Sequence, residues 1–161
     1  MRVATIILCI ATLLIFGCSS DPEKPETAPA SLSPPIPAQF NLVASDQVNP
    51  DLNGRPSPIV IRVYELKNLG KYEVGDFYQL FENYDAHLGA ELVASGEYHI
   101  NPGEVKKIKR TLSEGTKYVA VAAAYRDINQ AIWKDSIRIA DEKTIDLLVF
   151  IEKLNISIWK K

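Results

Sequence analysis

Two histidines, two cysteines, the serine at position 95 and a scatter of carboxylates are the side chains of this sequence whose types and settings first invite a chemical reading. His87 and His99 stand in polar surroundings with no third ligand-type residue at metal spacing, so both read as solvated surface histidines and no metal site is expected. Ser95 lies in Val93-Ala94-Ser95-Gly96-Glu97, which lacks the first glycine of G-x-S-x-G and a strand-to-helix turn, and so gives no nucleophile elbow. Asp127 and Asp135 flank a turn or strand without any sign of the facing arrangement in a cleft that paired catalytic carboxylates need, and they read as exposed charge. Glycine-rich phosphate loops are absent. Cys9 and Cys18 both fall in the first eighteen of 161 residues, which excludes disulfide frameworks, redox pairs, thiolate zinc sites and cysteine nucleophiles from everything that follows. The expectation is a binding protein and not an enzyme, with no catalytic residue, no cofactor and no small-molecule substrate.

The formal charge of −2, from 18 basic and 20 acidic residues, comes with no basic concentration beyond Lys106–Arg110. A nucleic-acid partner is therefore not expected, because phosphate neutralisation needs a basic face. The start of the chain is more specific. Met1-Arg2 supplies a short positive head, Val3–Phe16 is an apolar run of fourteen residues, and Gly17 precedes Cys18. This is signal-peptide anatomy, and the run is shorter than the ~20 apolar residues of a spanning helix. Ile15-Phe16-Gly17-Cys18 resembles the bacterial lipoprotein signal, in which the cysteine is lipidated and becomes the first mature residue; Phe16 departs from the small residue usual there, and an ordinary cleaved signal is the alternative. In lipoproteins of this kind an Asp after the cysteine favours the inner membrane. This chain has Ser19, so the resemblance implies an anchor in the outer membrane, facing the periplasm. Residues 1–17 are thus expected to be signal and Cys18 a lipidation site.

Residues 18–38 are expected to be a tether. Ser19–Ala38 holds six of the ten prolines, charges of both signs and no aromatic, a composition unable to bury enough apolar surface to offset ordering. Such a stretch reaches ~25 Å as a coil and ~60 Å as polyproline II.

Residues 39–161 must then hold the elements that position any binding surface. Period-two patterns dominate: Phe40-Asn41-Leu42-Val43 opens a strand, and Ile59, Ile61 and Val63 share one face of a second, with Arg62 on the other. Glu104–Leu112 reads as a lysine-blunted edge strand. Tyr118–Tyr125 and Ile145–Ile151, apolar on both faces, read as central strands. Trp133, Ile137 and Ile139 are in phase, and Leu154, Ile156 and Ile158 should face the core with Trp159 turned away. One segment differs: Phe77, Leu80, Phe81 and Tyr84 have helical spacing, and Asp76 with Gln79 forms a capping-box pattern, which predicts a short amphipathic helix over Asp76–Tyr84 covering a sheet face or an open end. About seven short strands with turn signals at Asn53-Gly54, Asn101-Pro102-Gly103 and Glu114-Gly115 predict a mainly β protein, an antiparallel β-sandwich with a short helical addition.

The first two strands are separated by Ser45–Pro58, fourteen residues where hairpin connections take about two to five. Asn49-Pro50 and Asn53-Gly54 form turns, and Pro56 and Pro58 restrict the backbone, so the loop is shaped rather than slack. It is either a recognition loop or an inert crossover between the sheets.

Asn49-Pro50-Asp51, Gly54-Arg55-Pro56-Ser57-Pro58 and the strand Ile59–Leu66 that follows resemble the outer-membrane lipoprotein family of the bacterial type VI secretion system, the TssJ (SciN-like) family. Phe77 and Leu80, Leu88-Gly89, Pro102-Gly103-Glu104, Ala124-Tyr125-Arg126-Asp127 and Trp133 continue the match in order. The resemblance implies a transthyretin-like β-sandwich, anchored in the outer membrane through the lipid on Cys18, that binds the periplasmic C-terminal region of the inner-membrane protein TssM. The implied contact is the loop between the first two strands, hence Gln47, Val48, Asn49, Pro50, Asp51, Leu52, Asn53, Gly54 and Arg55. Val48 and Leu52 are the candidate apolar anchors, Arg55 the candidate partner for a carboxylate of TssM, and Asn49-Pro50 is alternatively a simple turn. Trp159 is a weaker interface candidate, with packing under the helix as its alternative. The runner-up function is a periplasmic lipoprotein binding a small ligand or glycan at its loop end.

Overall fold

The structure, a computed structural model, describes residues 36–161; the expected signal, Cys18 and most of the expected tether lie outside the described residues. Eight strands form two four-stranded sheets. In the first, β4 (Val105–Leu112), β1 (Ile36–Ala44), β7 (Ile145–Ile151) and β8 (Ile156–Lys160) lie in that order; in the second, β3 (Leu92–Ile100), β2 (Ile59–Leu66), β5 (Tyr118–Ala123) and β6 (Lys134–Arg138). β1 already begins at Ile36, paired with Leu112, so the last three residues assigned to the tether belong to the sheet. Every strand pairing is antiparallel except β1 with β7, which run parallel; the chain crosses between the sheets repeatedly, β4 joining the first sheet before β5 and β6 complete the second.

Alternation explains which faces meet. Phe40 and Leu42 of β1 and Leu147 and Val149 of β7 point inward against Ile59, Ile61 and Val63 of β2 and Val119 and Val121 of β5, forming the main core. β5 is central and apolar on both faces, as the sequence predicts, because its opposite face is also covered: Ala120 and Ala122 lie under a helical layer with Tyr64, Leu66, Tyr72 and Leu80. Small residues on that face let the helices approach closely.

The layer is larger than the single helix predicted. It comprises α1 (Gly70–Val74), α2 (Phe77–Phe81), α3 (Tyr84–Leu88) and a 3-10 turn at Gly89–Glu91. The capping box is present around α2: Asp76 accepts from the Gln79 N–H at 2.7 Å, and the Gln79 side chain accepts from the Asp76 N–H at 3.0 Å. α1 and α3 are single turns, too short to print a period on the sequence. Their docking rests on side chains from the sheet. Tyr64 donates to the Leu80 carbonyl, and Lys134 Nζ donates to the carbonyls of Tyr72 at 3.0 Å, Glu73 at 2.8 Å and Gly75 at 2.8 Å. Tyr72 in turn donates to Val121 in β5 at 2.7 Å. Arg62, turned from the core as expected, donates to the Phe81 carbonyl at 2.6 Å and pairs with Glu97.

Trp133, not Trp159, meets the helices, edge-on to Phe77 at 5.4 Å. Trp159 faces away from the core on the outer side of the first sheet, remote from the helical layer, with its indole N–H donated to Ser157 at 3.1 Å. The sequence carries no clear strand signal for β3, because this edge strand of Leu-Val-Ala-Ser-Gly-Glu-Tyr-His-Ile is half-buried and alternates weakly.

Replacing Tyr72 by Phe removes the donor to Val121 while keeping the ring. Urea unfolding should show a loss of about 1–2 kcal/mol, and an unchanged midpoint would mean that this hydroxyl does not hold the helical layer.

Candidate functional site

The Ser45–Pro58 loop does cross between sheets, since β1 belongs to one and β2 to the other. Packed sheets lie ~10 Å apart and extended chain covers ~3.3 Å per residue, so three or four residues would suffice for the crossing. The surplus residues are folded into a structure of their own.

Its base is buried. Val48 has no exposed surface and packs in the main core, so it is a core residue and not a surface anchor, a correction to the sequence reading. Asn49, in the left-handed region at φ 49°, is 3% exposed, and both polar atoms of its amide are engaged: Nδ2 donates to the Pro58 carbonyl at 2.9 Å and Oδ1 accepts from the Arg126 N–H at 2.8 Å. Its backbone N–H donates to the Lys153 carbonyl at 3.1 Å. One residue therefore ties the loop to itself, to the β5–β6 connection and to the β7–β8 turn, and its side chain is not available to a partner.

The tip is a closed turn organised by Asp51. One carboxylate oxygen accepts from the backbone N–H groups of Asn53 at 2.8 Å and Arg55 at 2.9 Å; the other accepts from Arg55 Nε at 2.8 Å and Nη2 at 2.7 Å. The Asp51 N–H donates to the Arg55 carbonyl at 2.8 Å and the Gly54 N–H to the Asp51 carbonyl at 2.9 Å, with Gly54 at φ 77°. The Arg55 N–H, and after it the Arg55 guanidinium, hold the Asp51 carboxyl below its ordinary value of 3.8. Arg55 thus already has a carboxylate within its own loop. Gln47, Asn53 and Gly54 are exposed, Pro50 is half-buried, and Leu52 stands completely free at 105% exposure, an apolar side chain displayed on a hydrogen-bonded turn.

Beside the tip lies an open groove of about 700 Å³, with Pro50, Asp51, Leu52 and Asn53 on one wall and Arg126, Asp127 and Leu154 on the other. The second wall is fixed from below by Tyr125, whose hydroxyl donates to Asn155 at 2.7 Å and Glu152 at 3.1 Å. Sequence reasoning assigned no role to Arg126, although Ala124-Tyr125-Arg126-Asp127 is among the matched residues, and placed Leu154 on the core face; Leu154 is half-buried, packing against the main core while also lining the groove.

The other chemically capable residues have structural partners or none. His87 Nε2 lies 2.9 Å from the Lys71 carbonyl, His99 is exposed beside Glu97, and Ser95 sits in β3 opposite Tyr64. The Asp135 carboxylate accepts from the Ile158 N–H at 2.9 Å and the Ser136 N–H at 2.8 Å, joining β6 to β8 across the sheets. Among the described residues no group of three His, Cys, Asp or Glu is placed to hold a metal.

Residues 37–154 match the model of the T6SS-SciN family, described as type VI secretion lipoprotein, VasD, EvfM, TssJ. The chain belongs to this family. Its fold is similar to that of the T6SS lipoprotein TssJ1 from Pseudomonas aeruginosa, at 32% identity over 80% of this chain and 98% of that one, with a TM-score of 0.76. Two further chains share the fold. One is Serratia marcescens Lip, a membrane-bound component of the type VI secretion system, at 22% identity over 80% of this chain and 99% of that one, TM-score 0.72. The other is a chain in the structure of the TssM C-terminal domain from EAEC, at 19% identity over 76% and 97%, TM-score 0.63. No curated protein sequence matches. As a T6SS-SciN lipoprotein the chain is a β-sandwich structural component of a membrane secretion complex, not an enzyme.

Because Asp51 is held ionised, the order it gives the turn is complete above its ordinary value of 3.8 and is lost as pH falls through the lower value it has in the folded loop. The Asn53 and Arg55 amide resonances should therefore titrate together in acid below the usual carboxylate range, and in Asp51→Asn this shared transition should vanish. Titration of those amides at an unshifted value would contradict the capping geometry.

Proposed function

We propose that this lipoprotein is anchored in the outer membrane through a lipid on Cys18, faces the periplasm, and binds the periplasmic C-terminal region of the inner-membrane protein TssM through its Ser45–Pro58 loop. The anchoring cysteine would be the first mature residue, following a signal of residues 1–17, with a proline-rich tether leading into β1. The observation that carries the reading is Leu52, fully exposed on a turn that Asp51 and Asn49 hold in place. An apolar side chain on a pre-ordered turn loses little entropy on binding, the condition for an interface anchor.

The polarity of the fold supports it. The chain enters the sandwich at Ile36, and the loop leaves β1 at its other end after Ala44, a nine-residue strand or ~30 Å away. The loop therefore lies at the end of the sandwich opposite the chain's entry, where the tether's attachment does not obstruct it. Family membership and the shared fold of a chain in the TssM C-terminal domain structure support the choice of partner. The groove at the tip has no aromatic among its lining residues, so nothing there favours stacking of a sugar, and the glycan-binding alternative is not adopted.

Cys18→Ser should leave the domain folded and soluble but abolish secretion by cells relying on it; undiminished secretion would refute the anchoring role. Deleting Pro50–Arg55 should weaken capture of the purified TssM region by about a hundredfold or more with the melting temperature nearly unchanged. Equal affinity would remove the loop from the interface.

A further inference from the structure

A specific protein interface uses about 20–30 residues on each side. The Ser45–Pro58 loop has fourteen, and Val48, Asn49 and Ser57 are buried, which leaves eleven to touch a partner. The loop alone is too small, and the surface that continues it is the far wall of the groove.

We infer that the partner site extends from the loop across the groove onto the β5–β6 connection and the β7–β8 turn, with Arg126, Ile132 and Leu154 as its second half. Leu52 and Leu154 line opposite walls. Ile132, 63% exposed, is attached to the second wall by its N–H to the Leu154 carbonyl at 2.9 Å and by a bridge to Asn155. Leu52, Leu154 and Ile132 are the apolar side chains that such a site would offer.

Charge sets the rim. Asp51 is ion-paired with Arg55 and is further stabilised by the charge of Arg126, which itself makes no salt bridge among the described residues; Asp127 is the third charge lining the groove. The planar guanidinium matches a carboxylate through two parallel hydrogen bonds. The occupant is thus a segment of the TssM periplasmic region that inserts an apolar side chain between Leu52 and Leu154 and sets a carboxylate against Arg126. Asn49 ties the loop to both Arg126 and Lys153, so the groove is already formed in the free protein.

This inference rests on the proposed function and is separable from it. Full-length lipoprotein in detergent is titrated with the purified TssM periplasmic C-terminal region, as parent, as the Pro50–Arg55 deletion, as Arg126→Ala, as Ile132→Asp, and as Lys107→Glu on the outer face of the first sheet. Arg126→Ala and Ile132→Asp should each weaken binding by about tenfold or more at unchanged melting temperature, and Lys107→Glu should bind like the parent. A photo-cross-linking residue at position 132 should capture the TssM region, and one at 111, exposed at the opposite end of the first sheet, should not; this readout also decides the matter if a variant is unstable. Loss of binding in the deletion together with parental affinity in Arg126→Ala and Ile132→Asp, and no cross-link from 132, would overturn the extension and leave the loop reading standing. Parental affinity in the deletion, or no binding by the parent, would overturn both.

Discussion

Asn49 sits where the chain has left one sheet and not yet joined the other, and the arrangement of the loop end depends on its side-chain amide. Two sheets packed face to face place their connections at the ends of the sandwich as separate excursions with no obligation to touch. Here a buried amide accepts from the Arg126 N–H and donates to the Pro58 carbonyl, while the same residue's backbone N–H reaches Lys153. Leaving such buried groups unpaired costs about 1–3 kcal/mol each, so the three connections have one favourable arrangement. Val48, next to it, adds apolar burial to the same end by entering the core between the sheets. A long crossover becomes a fixed platform, and Leu52 is displayed on it.

The covered outer face of the second sheet follows a different rule. The helical layer on the second sheet is held by groups that reach out of the sheet: Tyr64, Arg62 and Lys134 satisfy carbonyls at the ends of helical turns too short to be stable alone. That coverage is why β5 is apolar on both faces. It leaves the outer face of the first sheet, with Trp159, uncovered.

Strands were legible wherever one face is buried against the other sheet, as with Ile59, Ile61 and Val63, or wherever both faces are covered, as in Tyr118–Ala123. The capping box at Asp76 marked α2 correctly. What escaped was whatever lacks a period: the edge strand Leu92–Ile100 and the single turns around Tyr72 and Tyr84. The loop stood out by length and turn residues, but sequence could not say which of its apolar residues point inward. Val48 and Leu52 are equivalent on paper and opposite in space, since hydrogen bonds from Ser57 to the Val48 carbonyl and within Asp51–Arg55 decide their directions. Arg126 and Leu154 were out of reach for a further reason: they join the loop through topology alone, far from it along the chain.

The central claim is that the loop is folded before it meets its partner. Amide hydrogen exchange of the free, full-length lipoprotein measures this most directly. The account predicts slowed exchange at Asn53, Gly54 and Arg55, whose N–H groups are donated within the turn, with little further slowing when the TssM region is added. Exchange at those amides as fast as in an unstructured chain, with protection appearing only in the complex, would contradict it.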